Sequence, residues 1–517
     1  NAGGINPQGC ADALARLAEE LGVSVKIAVV LGDDVSEGIP ELRQAGVKDM
    51  FSGAELPAEI LSANAYLGAL PVAEALKQGA DIVITGRCVD SAVTLGPLIH
   101  EFGWSSEDYD KLAGGSLAGH IIECGCQATG GLHTDWEDVP DWANMGYPIV
   151  ECYEDGQFAV TKPSGTGGRM LAAAIAEQML YEIGDPSAYI LPDVTCDFTD
   201  VRIVQDGDER VHVSGARGLP PPPTYKVSAT YSDGFRCAGN LVILGIDAVR
   251  KARRTGEAIL ARTRTIFGSM GLPDYSATHI EVIGAEDIYG PHSCTGGARE
   301  VMLRVAVNHA SKTALGIFAR EIAPAGTSWS PGTTGPALAR PPVSPLIKQF
   351  SFTLRKDLVP VRVELGERAW PVTIPSSCKE IPRAAPAQTP ELPLDDGATV
   401  VVPLVKLAYA RSGDKGNISN IGVIARRPEY LPLILGQVTE ERVKSYFAHL
   451  VKGDVKRYLV PGIQACNFLL FDALDGGGTA SLRMDPLGKG MGQMLLDLPV
   501  AVPEALGRAL IADGRIS

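Results

Sequence analysis

A chain of 517 residues is long enough for two to three domains, and its 45% hydrophobic and 21% charged content is that of a globular protein. No apolar run reaches the roughly 18 residues of a membrane span. A net charge of −15 argues against a broad surface for nucleic acid or anionic lipid, yet an anionic small molecule held by a few local donors remains compatible with it. The ten cysteines are scattered apart from Cys124 and Cys126, so neither a disulfide scaffold nor a paired zinc signature is visible, and a reducing, cytoplasmic setting is expected.

The opening Asn1-Ala2-Gly3-Gly4 reads like the loop after a strand that precedes it. Asn6-Pro7 then gives a cap and a first-turn proline, Cys10, Leu14, Leu17 and Leu21 recur at helical spacing, and Gly22 ends the helix. Residues 26–31 (KIAVVL) read as a strand covered on both faces, residues 66–78 as a helix, and residues 81–85 (DIVIT) as a second buried strand, with a further helix from Ala92. Strand and helix alternating at short spacing imply an α/β fold with parallel-sheet βα units. Farther on, residues 167–183 and 246–267 read as helices, and 201–213 and 224–231 as strands. The proline-rich stretch at 381–397 reads as a linker between a core domain, 1–380, and a small α+β domain, 398–505. In the latter, strands are expected at 400–410, 418–425, 465–473 and 480–484, a helix capped by Thr439, and a last helix at 487–498.

Ligands of open parallel sheets bind at the carboxyl ends of the strands, which focuses attention on three loops. In the first, Asn1, Gly3, Gly4 and Asn6 combine backbone access with a helix start. In the second, Arg87 can pair with a carboxylate or phosphate. Cys88 is either a thiol activated by the helix N-terminus or a packing residue, and Asp90 or Ser91 either a functional group or only a cap. The third is the densest. His120 and Glu123, three apart on a helix, form an acid/base pair, and with His133 and Asp135 they offer an alternative divalent-metal set that matches no standard signature. Thr129 and Gly130 belong to the same glycine-rich segment.

Lys162, Thr166, Gly167 and Gly168 precede a helix and can cradle an anion, although the order is not that of a P-loop or a dinucleotide fingerprint. His292, in Tyr289-Gly290-Pro291-His292, reads as part of a turn. In the small domain, Arg411 to Asn417, with Asp414, Lys415 and Asn417, read as a charged turn able to reach across as a lid or anion clamp.

The strings NAGGINPQGCADAL, ANAYLGA, GADIVITGRCVDSAVTLGPL, LAGHIIECGCQATGG and KPSGTGG, in that order, resemble the acyclic terpene utilisation AtuA family. LAYARSGDKGNISNIGV resembles its small AtuA-like domain of ferredoxin-type fold. The family pattern carries a further N-terminal stretch, so residues 1–380 are expected to be a shortened core. The resemblance implies a context of citronellol and geraniol catabolism, run on acyl-CoA esters, and no assigned reaction.

Together these readings point to an enzyme acting on a carboxylate or acyl-CoA, as a lyase or hydro-lyase. His120 and Glu123 are its expected acid/base pair and Asp90 a second carboxylate; Arg87, Gly167 and Gly168 hold the anionic end, and Asp414 and Lys415 close over it. No step needs a redox cofactor and no flavin or nicotinamide fingerprint is visible, so none is expected. Neither nucleic acid nor membrane is an expected partner, and self-association is the default for such a protein. The other readings are a non-catalytic acyl-CoA-binding or scaffold subunit and a metal-dependent hydrolase.

Overall fold

A computed structural model describes residues 6–295, 297–335, 340–377 and 398–512. The first loop's Asn1, Gly3 and Gly4, and the expected linker, lie outside these residues. The opening helix spans Pro7–Glu20, its N-terminus closed by the Asn6 side chain, which accepts from the Gly9 amide at 2.8 Å. Its stripe is only partly covered: Ala11 is buried, while Leu17 and Leu21 are exposed.

Ile27–Leu31 and Ile82–Thr85 lie side by side and parallel, as their apolar runs require. They form the one parallel strand pair among the described residues, which corrects the expected parallel sheet. Two things divert it. Ser62–Ala65 leaves to pair antiparallel with the long strand Thr224–Leu244. The other side of Ile27–Leu31 is taken by Arg362–Leu365, returning antiparallel from far along the chain. The fold is therefore mixed α/β, with a β-rich larger unit whose sheets are mostly antiparallel and a smaller α+β unit after it.

The long strand organises the larger unit. Its first half pairs with Ser344–Arg355 and puts Tyr225, Val227 and Ala229 into one core. Its second half pairs with Glu300–His309 and puts Cys237, Leu241 and Ile243 into another, under the helix Ala248–Ser269. Burial of each large side chain there contributes on the order of 2 kcal/mol. A bulge between Ser232 and Phe235, with Gly234 at φ +89°, joins the halves.

In the small unit, Ala408–Lys415, Ile418–Ala425, Ala465–Leu470 and Val455–Val460 form an antiparallel four-stranded sheet in that order. Residues 400–410 are not one strand: a turn at Leu404–Lys406 splits off Thr399–Pro403, which pairs with Pro499–Pro503. Residues 480–484 are irregular, since the guanidiniums of Arg236 and Arg304 take the carbonyls of Ser481 and Leu482 and hold the segment against the larger unit. No helix among the described residues is long and apolar enough to cross a membrane.

Candidate functional site

The turns after the two parallel strands are locked together. Asp33 is buried, and its Oδ2 accepts from the Arg87 amide at 2.7 Å and from Asn64 Nδ2 at 2.9 Å. Only glycine fits between: a Cβ on Gly86 would stand 1.9 Å from Asp33 Oδ1. Burial raises the Asp33 carboxyl above its ordinary range, against the hydrogen bonds from Arg87 and Asn64. Residues 66–69 do not extend the following helix, which starts at Leu70, because their backbone is taken elsewhere. The Tyr66 amide bonds the Lys226 carbonyl and the Leu67 amide that of Arg87, while Asp193 accepts from the Ala69 amide at 2.7 Å.

Tyr66 is thereby set beside two cations. The Arg87 guanidinium lies 4.3 Å from its ring centre and the Lys226 ammonium 5.7 Å. Arg87 also reaches Asp90, at 3.3 Å, whose carboxylate is half exposed. Lys226 has no carboxylate within ion-pairing reach among the described residues; its other neighbour is the Phe51 ring at 5.6 Å. Burial lowers its pKa, and the positive charges of Lys415 and Arg87 lower it further, opposed by Asp49.

The helix Tyr109–Ile122 packs against this corner, with Gly119 on the Ser91 backbone, and ends at the His120–Glu123 pair. His120 Nδ1 is 3.1 Å from Glu123 Oε1 and Nε2 is 3.2 Å from the Met179 carbonyl. Burial pushes the His120 pKa down, but the Glu123 charge and hydrogen bond outweigh it, and the net direction is up. Both ring nitrogens thus face acceptors, an arrangement that suits an imidazolium. Glu123, its side chain 21% exposed, keeps a second oxygen with no hydrogen-bond partner among the described residues.

The small unit supplies the opposite wall. Lys415 binds Glu182 at 2.7 Å, and Lys489 binds Glu182 at 2.8 Å, Asp414 at 3.0 Å and the Tyr181 hydroxyl. Burial alone would raise Glu182; the ammonium of Lys415, with the hydrogen bonds of Lys489 and Tyr181, brings it down to about 2. Further hydrogen bonds tie this wall to the larger unit. The buried Asn420 donates to the Leu180 carbonyl at 2.7 Å and accepts from the Glu182 amide at 2.9 Å, while Asn467 donates to the carbonyls of Ile183 and Gly184. A Cβ on Gly413 would stand 2.6 Å from the Glu182 side chain.

The remaining expected residues lie as follows. Cys88 is buried beside Thr85, and burial pushes its thiol up, as befits a packing residue rather than an activated one. Thr129, Gly130 and residues 162–168 form a knot whose hydrogen bonds close on one another and on residues 140–146. The Gly167 and Gly168 amides bond the carbonyls of Asn144 and Pro140, and Lys162 pairs with Glu209 at 2.9 Å. Thr166 bonds the Pro163 carbonyl, and Thr129 that of Gly146. The helix after this loop starts only at Ala172, so no glycine amide there serves its N-terminus. Asn417 braces the hairpin, donating to Asp472 and accepting from the amides of Leu474 and Gly476. His292 donates to the Tyr446 carbonyl at 2.8 Å.

His133 and Asp135 part from His120. His133 meets Glu177 at 2.7 Å and Asp135 is gripped twice by Arg426 at 2.6 Å, and no group of three or more metal-ligating side chains gathers among the described residues. Lys226, Tyr66, Tyr181, Glu182 and Lys489 were missed from sequence; none carries a motif, and long-range pairing alone brings them together.

Neither the curated proteins nor the solved structures hold a significant match to the chain. The description "acyclic terpene utilisation family protein AtuA" matches residues 1–365, and "AtuA ferredoxin-like domain" matches residues 402–501. With 365 of its 517 residues under the first description, the chain belongs to the AtuA family.

Proposed function

We propose that this chain is an enzyme acting on a small organic acid or its coenzyme A ester, as a lyase or hydro-lyase, at the seam where Arg87, Lys226 and Lys415 face Glu123. The observation that carries this reading is Lys226: a largely buried ammonium beside two further cations, for which an anionic guest is the missing partner. Glu123 is the acid/base group. His120 is a positioning residue that holds it, since both of its nitrogens are engaged. In a dehydration, Glu123 takes the proton α to the carbonyl and the cations stabilise the developing enolate. The carbon–carbon double bond then forms as the β carbon–oxygen bond breaks, and the leaving hydroxide takes the proton back from Glu123 as water. Acyclic terpene acids and their thioesters are the first compounds to try, given the family's context.

The test is incubation with branched acyl-CoA esters, followed by mass spectrometry for gain or loss of one water. Glu123→Gln is expected to slow turnover by about 10²–10⁴. Unchanged turnover in that variant overturns the assignment. The commitment of both His120 nitrogens favours a second reading, a subunit that binds such an ester without converting it. Tight binding with no conversion of any ester would establish that reading instead.

A further inference from the structure

Next to the cation cluster the seam opens into a cleft of about 1060 Å³. That is at the upper end of the range for small-molecule sites, and far more than an acid of a few carbons fills. The two adjoin. Phe51, which lines the cleft, sits 5.6 Å from the Lys226 ammonium, and the hairpin that carries Lys415 presents Asp414 and Gly416 to the cleft. Several of the charges that line it are met within the chain, while Glu55 also borders it. Asp49 accepts from the amides of Phe51, Ser52 and Ser351, Asp475 pairs with Lys452 at 3.1 Å, and Lys348 with Asp233 at 2.5 Å. Part of what it offers a guest is apolar surface: Met50 and Phe51 are about half exposed, at 48% and 50%. Opposite them Gly476, Gly477 and Gly478 run at positive φ, and a Cβ on Gly478 would meet nothing within 4 Å, so bare backbone borders the open space.

We infer that the cleft holds the uncharged, apolar chain of a ligand whose anionic end sits on Lys226, Arg87 and Lys415, so that the substrate is an extended amphiphile and not a short acid. This rests on the anion site proposed above and narrows its substrate class.

The test is calorimetric titration of the full chain with straight-chain carboxylates from butanoate to dodecanoate, below their micelle concentrations. Affinity is expected to rise about two- to three-fold per added methylene. Phe51→Ser, a change at a half-exposed position, should flatten the rise. Lys226→Met should weaken every member about ten-fold and keep the rise. A flat series in the wild type, with butanoate still weakened by Lys226→Met, overturns the cleft assignment and leaves the anion site standing. A rise that Phe51→Ser abolishes but Lys226→Met does not shift overturns the anion site and keeps the cleft. Binding of no member overturns both.

Discussion

Two clusters of charge join the small unit to the larger one, and they are built differently. In one, Glu177 receives His133 together with the amide and hydroxyl of Thr134, whose oxygen also takes the Ala410 amide, while Arg426 grips Asp135 and lies 4.2 Å from the Tyr409 ring. Each of these side chains has its partner inside the chain. In the other, Glu182 is matched by Lys415 and Lys489 and Asp90 by Arg87, but among the described residues Lys226 stands without an acid and Glu123 keeps one oxygen unused. The fully paired cluster has nothing left to offer a ligand. In sequence the two look alike, since each shows a histidine and acids near glycines; the completeness of pairing separates a joint from a site.

The sharpest way to break this contrast is to unpair the joint. Glu177→Ala leaves His133 and the Thr134 amide buried without the acceptor they share, and it should lower the unfolding free energy by about 3–5 kcal/mol. Glu123→Gln should change it by no more than about 1 kcal/mol, because Glu123 is partly in solvent. Urea denaturation of both variants measures this. Equal losses would erase the distinction.

Glu182 sharpens it further, as a paired group inside the proposed site. Its folded pKa, about 2, lies below the ordinary 4.5, so its contribution is complete above pH 4.5 and disappears as the pH falls toward 2. Partial solvent screening keeps that contribution to about 2 kcal/mol. Glu182→Gln should therefore be less stable than the wild type by that amount at pH 6, and the two should converge near pH 2–3. A stability gap that persists unchanged into acid would show that Glu182 acts by shape and not by charge.

How far the sequence could be read follows the same division between local and distant causes. The helix from Asn6 to Gly22 and the side-by-side strands were legible because caps, glycines and apolar runs are local signals. So was the His120–Glu123 pair, which needs only three residues of helix. Lys226 was not: in TYKVSAT it is a lone lysine in an alternating strand, normally a solvated position, and only pairing with Ser62–Ala65 and Ser344–Arg355 brings it under Tyr66. The strand expected at 224–231 runs on to Leu244 through the bulge between Ser232 and Phe235. At Gly167 the constraint on residue type is again distant in sequence. The glycine serves backbone packing, since a Cβ there would stand 2.0 Å from the Asp141 carbonyl oxygen. Glu182 holds φ at +59°, and the Asn420 contact that receives its amide comes from 238 residues farther along, so no neighbour announces it.

The smallest effect concerns Lys226 itself, and its sign is the informative part. Burial, then Lys415 and Arg87, lower its pKa, so the folded state disfavours the charged form and stability is diminished at neutral pH. That loss is recovered as the pH rises through the depressed folded value toward 10.5, where the unfolded chain also gives up the proton. Lys226→Met keeps the stem and removes the charge, so at pH 7 it should leave stability unchanged or raise it by about 0.5–1 kcal/mol while weakening carboxylate binding. Thermal denaturation beside the calorimetric titration reads both quantities. A residue kept for the joint would lose stability on removal and leave binding alone; a residue kept for a guest does the reverse, and finding the first pattern at Lys226 would move it from the site to the scaffold.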